Sequence, residues 1–307
     1  MLDVAIIGGG PAGLSAGLYA SRMGLKTKIF EKFATGGQIA LSSEIENYPG
    51  VCEVKSGFEL MECWPQQVKK FGCEIENIEI TKLQKNETYF ILNNDIKAKA
   101  VIIATGSSPK RAGFENEEKF IGRGVSTCAV CDGFFYKGKD VAVIGGGDTA
   151  LEEAIYLSSI VNKVYLIHRR DKFRASPTTI KRVLNNKKIE ILYNSIIEKV
   201  EGEQFLNSIY LDKEGEKREL KVSGVFVFVG NIKNTDILKN ENGSFLCEIS
   251  EDGSVKVDLN MKTSVEGLFA VGDIRKDSKK QVVCAAADGA VAALEVVKYI
   301  DEMENNL

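Results

Sequence analysis

Two of the chain's seven cysteines, Cys128 and Cys131, stand two residues apart in CAVCD (128–132), with Asp132 directly after the second. Cysteine at 7 of 307 positions supplies roughly 0.16 such pairs per chain by chance, so the spacing alone decides nothing. Three chemistries fit it: half of a zinc site, a structural disulfide, or a dithiol that cycles between thiol and disulfide. Only a thiolate is nucleophilic, so a dithiol needs a neighbouring acid/base to manage a proton. Asp132 is the candidate, although a plain turn residue in CDGFF would read the same way. Cys52, Cys63, Cys73, Cys247 and Cys284 have no paired spacing and read as core or surface thiols.

A repeat identifies the elements that would position such a pair. AIIGGGPAGLSAGLYASRMGLKTKIFEK (5–32) aligns without gaps to AVIGGGDTALEEAIYLSSIVNKVYLIHR (142–169), an offset of 137 residues (142 − 5). Each copy reads as an apolar strand, a glycine-rich turn, a helix and a second strand, the opening βαβ of a dinucleotide-binding sheet. In the turns, Gly8, Gly10 and Gly13, then Gly145, Gly147 and Ala150, would allow a tight bend, backbone approach to a pyrophosphate, and close helix–strand packing. A single G-x-G-x-x-G arises by chance roughly 0.25 times in a chain this rich in glycine. Two copies in the right context imply two dinucleotide sites.

The copies diverge where ligand choice is made. Eighteen residues after Gly13 stands Glu31, whose carboxylate can accept from ribose hydroxyls, as FAD or NAD requires. Eighteen residues after Ala150 the matching position is His168, followed by Arg169, Arg170 and Arg174. Guanidinium groups pair with a 2′-phosphate and stay charged at any working pH, so this copy is expected to take NADPH. A solvated charged loop would also read HRRDKFR; the shared offset favours binding. His168, the only histidine, sits at the adenosine end of that site and is expected to bind and not to catalyse.

The rest of the chain bounds the class. Hydrophobic residues are 44%, charged residues 27%, and the net charge is −3 with no basic block, which gives no footprint for nucleic acid. No apolar run approaches the roughly 18 residues of a membrane helix. The opening MLDVAIIGGG enters a strand at once and leaves no room for a secretory leader, so a cytoplasmic location is expected, where a paired CxxC is redox-active or metal-binding. A helix is predicted over 56–71, and strands over 75–105 with turns at 85–86 and 93–95. GVFVFVGNIKNT ends the second unit, and the return of SVKVDLNMKTSVEGLFAVGDIR with a last small-residue helix completes the first. The expected fold class is α/β: two Rossmann-like, three-layer ββα domains, one inserted in the other, with residues 1–113 and 242–307 forming the first and 114–241 the second.

GGGPAG, GGQ, ENYPG, ATG, CAVCDGFFYKG, GGGDTALEEA, HRRDKFRA and AVGDIR occur in the order and approximate spacing of the low-molecular-weight thioredoxin reductases of bacteria, which this chain resembles over nearly its whole length. A CxxCD just before the second glycine motif is the most specific part of the resemblance. Asn231, Cys284 and Asp288 depart from the pattern of some members. The resemblance implies a homodimer with FAD contacted by Gly37, Gln38, Asn47, Asp273 and Gln281. It implies hydride transfer from NADPH to FAD, then electron transfer through Cys128 and Cys131 to the disulfide of thioredoxin. Because the dithiol falls in the NADPH domain, that domain is expected to turn about crossings near 111–117 and 238–245, bringing nicotinamide and dithiol to the flavin alternately. Zinc lacks ligands here, since one CxxC and one histidine assigned elsewhere are too few. Other clients remain open: a glutaredoxin-like or peroxiredoxin-linked protein, or ferredoxin or flavodoxin without use of the dithiol.

Overall fold

A computed structural model describes residues 1–41, 45 and 47–305. The chain forms two compact units, residues 1–108 with 232–307, and residues 109–231. The second crossing lies ten residues (241 − 231) before the expected 241/242, because Ile237 and Leu238 are buried with Ile7, Phe30 and Val101 of the first unit. Phe114, near the first crossing, is buried in the second unit's core.

In the first unit the apolar strand Leu2–Ile7 lies between Thr27–Phe30 and Ile96–Ile103, all parallel, with Glu74–Glu76 at one edge. Leu268–Ala270 adds a further parallel strand, and the hairpin Leu83–Lys85 with Phe90–Leu92 pairs antiparallel to Ile96–Ile103. Alternate side chains leave a strand on opposite faces. Val4 and Ile6 therefore meet Leu14, Ala16, Ala292 and Val296 of the helices Pro11–Arg22 and Val282–Asn305, while Ala5 and Ile7 meet Phe90, Leu92 and Leu268. Burial on both faces is why the strand reads as a continuous apolar run. Asn93 and Asn94, at φ +46° and +72°, make the turn expected at 93–95.

The helix predicted over 56–71 is two helices, Gly57–Met61 and Trp64–Lys70. Ser56 starts the first with a reciprocal capping box to Glu59. Pro65 has no N–H to continue that helix, and it occupies the first turn of the second, where none is needed.

The second unit has the parallel order Ile189–Leu192, Lys163–Ile167, Asp140–Gly145, Gly224–Phe228, Val125–Ser126. Val141 and Val143 pack on the helix Asp148–Ile160 through Leu151, Ala154 and Leu157. Ala142, on the other face, packs on Ile197, Ile209 and Leu220 of an antiparallel sheet, Ser195–Gly202, Leu206–Lys213 and Glu216–Lys221. The three-layer arrangement and the two Rossmann-like units are those expected.

Helices Pro11–Arg22 and Val282–Asn305 meet backbone to backbone. Ser15 Oγ donates to Ala286 O at 2.6 Å, and a Cβ placed on Gly289 would overlap Ala12 O and stand 2.9 Å from Ala16 N. Gly289→Ala must push these helices apart and is expected to cost about 1–3 kcal/mol, read as a lower urea midpoint than wild type.

Candidate active site

Three turns of the first unit converge on the start of helix Pro11–Arg22. Gly8, at φ +111°, ends the first strand against Ala104, and a Cβ there would overlap the Ala104 carbonyl. Gly13 lies so close over the Gly8 carbonyl that any side chain would collide with it. Gly10 caps the helix with no side-chain hydrogen bond and no acidic residue in the first turn, so the first N–H groups remain available to an anion. The second turn closes over it: Gly36 N donates to Gly9 O at 2.8 Å, and a Cβ on Gly37 would stand 3.1 Å from Gly10 Cα. The third brings Gly272, at φ +74°, against Ala12.

The polar residues named from sequence surround these turns. Glu31 accepts Gly9 N–H at 2.7 Å through one oxygen and Phe33 N–H at 3.0 Å through the other, and each oxygen keeps a lone pair for a ribose hydroxyl. Gln38 Nε2 donates to Ser107 O. Asn47 Nδ2 donates to Gln281 Oε1 at 3.0 Å, joining two expected flavin residues that are far apart in the chain. Asp273 lies in the turn Gly272–Ile274. This glycine-walled cradle, with uncapped amides at its end and a carboxylate at its rim, fits a dinucleotide.

In the second unit, Gly145, at φ +157°, is pressed between Ala150 and the Phe228 carbonyl, so Ala150 supplies the close packing that Gly13 supplies in the first. Space beside Gly147, the helix cap, is open: among the described residues nothing lies within 4 Å of where its Cβ would be. His168 is placed differently from the expectation of a ligand-facing residue. It is 6% exposed, its ring lies against Gly146, Nε2 is 3.0 Å from Lys172 O, and it packs on Phe173. Burial, opposed by hydrogen bonds to the backbone and helped by Arg170 and Arg174, lowers its pKa. Arg169, Arg170 and Arg174 are exposed, and Arg174 N donates to Gly146 O at 2.7 Å, fastening their loop to the glycine turn. Among the described residues the arginines in ion pairs are Arg218 and Arg275.

Cys128 and Cys131 are joined as a disulfide, Cα atoms 5.4 Å apart, on the short helix Ala129–Asp132. Cys131 N–H points at Cys128 Sγ at 3.1 Å, and Ser126 Oγ accepts Cys128 N–H at 3.0 Å, so backbone and hydroxyl fix the first cysteine. Cys128 and Asp132 are half-buried and Cys131 is exposed. Phe134 and Phe135 follow at 70% and 73% exposure. Cys73 and Cys247 are buried with their thiols pushed up to about 11 by desolvation, far from the reactive range. Among the described residues no group of three His, Cys, Asp or Glu side chains could hold a metal ion.

Sequence reasoning passed over Glu153 and the pairing of Arg275 with Asp288, the latter noted only as a departure from the family pattern. Among the described residues Glu153 Oε2 is buried without a hydrogen-bond partner, and desolvation, reinforced by Glu152, raises its pKa to about 7. EEA in an amphipathic helix gives no signal of that burial.

A disulfide borne on one dinucleotide unit, in a chain with a second such unit, defines a class of redox protein. Residues 2–289 match the pyridine nucleotide-disulphide oxidoreductase family model, and the chain belongs to that family. Within it, the chain is 55% identical over 309 residues to a thioredoxin reductase of Helicobacter pylori, covering 98% of this chain and 99% of that one. It is 42% identical over 308 residues to that of Treponema pallidum, covering 99% and 98%. Solved thioredoxin reductases of Lactococcus lactis (TM-score 0.92, 35% identity, 98% and 100% of the two chains) and T. acidophilum (0.88, 31%, 98% and 99%) have the same fold.

Glu153 carries a pH prediction. With its pKa raised from 4.5 to about 7, the native state is unpenalised below the lower value and loses stability as pH rises through the higher one. Glu153→Gln is therefore expected to stabilise the protein at pH 8, by an amount on the order of 2 kcal/mol, and to change nothing at pH 4. Unfolding midpoints at the two pH values check this.

Proposed function

We propose that this chain is an NADPH-dependent thioredoxin-disulfide reductase with FAD and NADPH as its cofactors. The observation that carries the reading is the Cys128–Cys131 disulfide on the same unit as an arginine-flanked dinucleotide turn. In this reading the first unit holds FAD: Gly8, Gly10, Gly13 and Gly37 admit the pyrophosphate, Glu31 the ribose, and Gln38, Asn47, Asp273 and Gln281 the remaining polar groups. The second holds NADPH: Gly145, Gly147 and Ala150 shape the turn, Arg169, Arg170 and Arg174 take the 2′-phosphate, and His168 supports the turn from below.

FAD, when bound, accepts a hydride from NADPH and passes two electrons to a disulfide. The chain's own groups do the remainder. Opening of the Cys128–Cys131 bond leaves two thiols, and Asp132, beside them, handles the proton that one must lose. The thiolate attacks a sulfur of the client's disulfide, forming a mixed disulfide. The second cysteine then attacks the first, restoring the Cys128–Cys131 bond and releasing the client as a dithiol. The exposed Phe134 and Phe135 support a protein client, as an apolar edge beside the exposed Cys131. Large apolar side chains left exposed on the first unit, Phe58 at 65% and Leu259 at 92% among them, support a homodimer. Among the described residues no helix is long and apolar enough to cross a membrane. A cytoplasmic location is part of the same proposal, as is the lack of a nucleic-acid partner, which the net charge of −3 without a basic block supports.

Purified protein assayed with NADPH and thioredoxin tests the reading. Cys128→Ser and Cys131→Ser should each abolish thioredoxin reduction while NADPH still bleaches the flavin; turnover surviving in either variant would sink it. For the second site, Arg169→Ala/Arg170→Ala is expected to raise KM for NADPH by roughly 100-fold or more, since each of the two lost charge-assisted contacts is worth about 1.5–3 kcal/mol, and to leave KM for NADH within two-fold. An equal rise for both nucleotides would move the 2′-phosphate elsewhere.

A further inference from the structure

The Gly272–Ile274 turn is held from two sides by charges that neither glycine motif accounts for. Asp288, 6% exposed on helix Val282–Asn305, accepts the Gly272 N–H at 3.1 Å. The same carboxylate receives Arg275 in a fork, Nε to Oδ2 at 2.6 Å and Nη2 to Oδ1 at 2.9 Å, and Arg275 Nη1 donates to Lys276 O at 3.1 Å. One carboxylate thus ties residues 272 and 275 together. From the other side the Lys233 ammonium, whose pKa burial lowers, donates to the main-chain oxygen of Asp273. Among the described residues the Asp273 carboxylate itself has only Ser278 Oγ at 3.5 Å, the outer edge of hydrogen bonding. The backbone is clamped and the carboxylate is open.

We propose that the Arg275–Asp288 pair is a positioning clamp for FAD, holding Gly272 and Asp273 in the geometry that receives the cofactor. This rests on the reading of the first unit as the FAD-binding one. The position of Asp288 leaves it little freedom, because Gly289 beside it is pressed on the Ala12 carbonyl and Ser15 bonds Ala286 O. The helix that carries Asp288 is thereby registered to the helix that opens at Gly10, and the clamp transmits that register to Asp273. An ion pair this buried returns little net folding stability, since desolvation offsets the attraction. What it supplies is one conformation for a turn whose Gly272, at φ +74°, has the widest choice of conformations. A preformed turn avoids an ordering cost when the ligand arrives.

The test compares holoenzymes. Arg275→Met/Asp288→Leu keeps the side-chain volume and removes every bond of the clamp, while Arg275→Lys keeps the charge and loses the fork. Release of FAD on dilution, followed by recovery of flavin fluorescence, is expected to be at least ten-fold faster in the double variant and intermediate in Arg275→Lys. Affinity for NADP+ should not change in either. In Arg275→Lys the flavin midpoint potential should also shift, which a loss of packing alone would not cause. Wild-type FAD release and potential in both variants would overturn the clamp, as would a fall in NADP+ affinity parallel to the loss of FAD. A wild-type protein that binds NADP+ but takes up no FAD would instead refute the cofactor reading, and the clamp with it.

Discussion

The Gly13 backbone rests directly on the Gly8 carbonyl with no room for a side chain between them, and the first unit is organised by that approach. It fixes helix Pro11–Arg22 at a short distance over the strand Leu2–Ile7, so that the helix's uncapped end points where the strand stops. The last helix then lies on the first through Gly289, again without side chains in the way. Everything polar around the candidate flavin site is positioned relative to these two glycine contacts: Glu31 on Gly9, the Gly37 turn on Gly10, and the Gly272 turn on Ala12. Loss of a few tenths of an ångström there would be felt in all three turns, because close-packed interiors pass displacement on.

The second unit reuses the plan with different chemistry. Ala150 takes the close position of Gly13, which costs one methyl group of clearance, and it nests against Gly145, which has none. Where the first unit puts a carboxylate that engages the turn's own amide, the second puts a buried imidazole under the turn and charges outside it. One scaffold can thus present an acceptor or a set of donors to the same end of a dinucleotide, according to the residue types placed just past its second strand.

Much of this was legible in the residues. The repeat exposed both βαβ units, since parallel strands buried on two faces must be apolar throughout and the turns require glycine. The CxxC was legible because its chemistry is tied to type and spacing, and the shared offset singled out Glu31 and the arginines as candidates. Other features depend on packing that only three dimensions supply. His168 was read with its charged neighbours, yet an imidazole can be folded inward where a guanidinium cannot. The break between Gly57–Met61 and Trp64–Lys70 turned on Pro65, which a hydrophobic period does not register. Arg275 and Asp288 are thirteen residues apart, and Lys233 is more distant still from Asp273; no spacing rule connects them. Ile237 and Leu238 moved the second crossing because burial, not polarity of the flanking loop, decides to which unit a segment belongs.

The sole imidazole of the chain lies against Gly146. Its ring protons form the only histidine signals that a proton NMR spectrum of this protein can contain, and they sit in the ring-current field of Phe173, whose ring centroid is 5.3 Å away. The molecule therefore carries a single, built-in imidazole reporter directly beneath one of its two glycine turns.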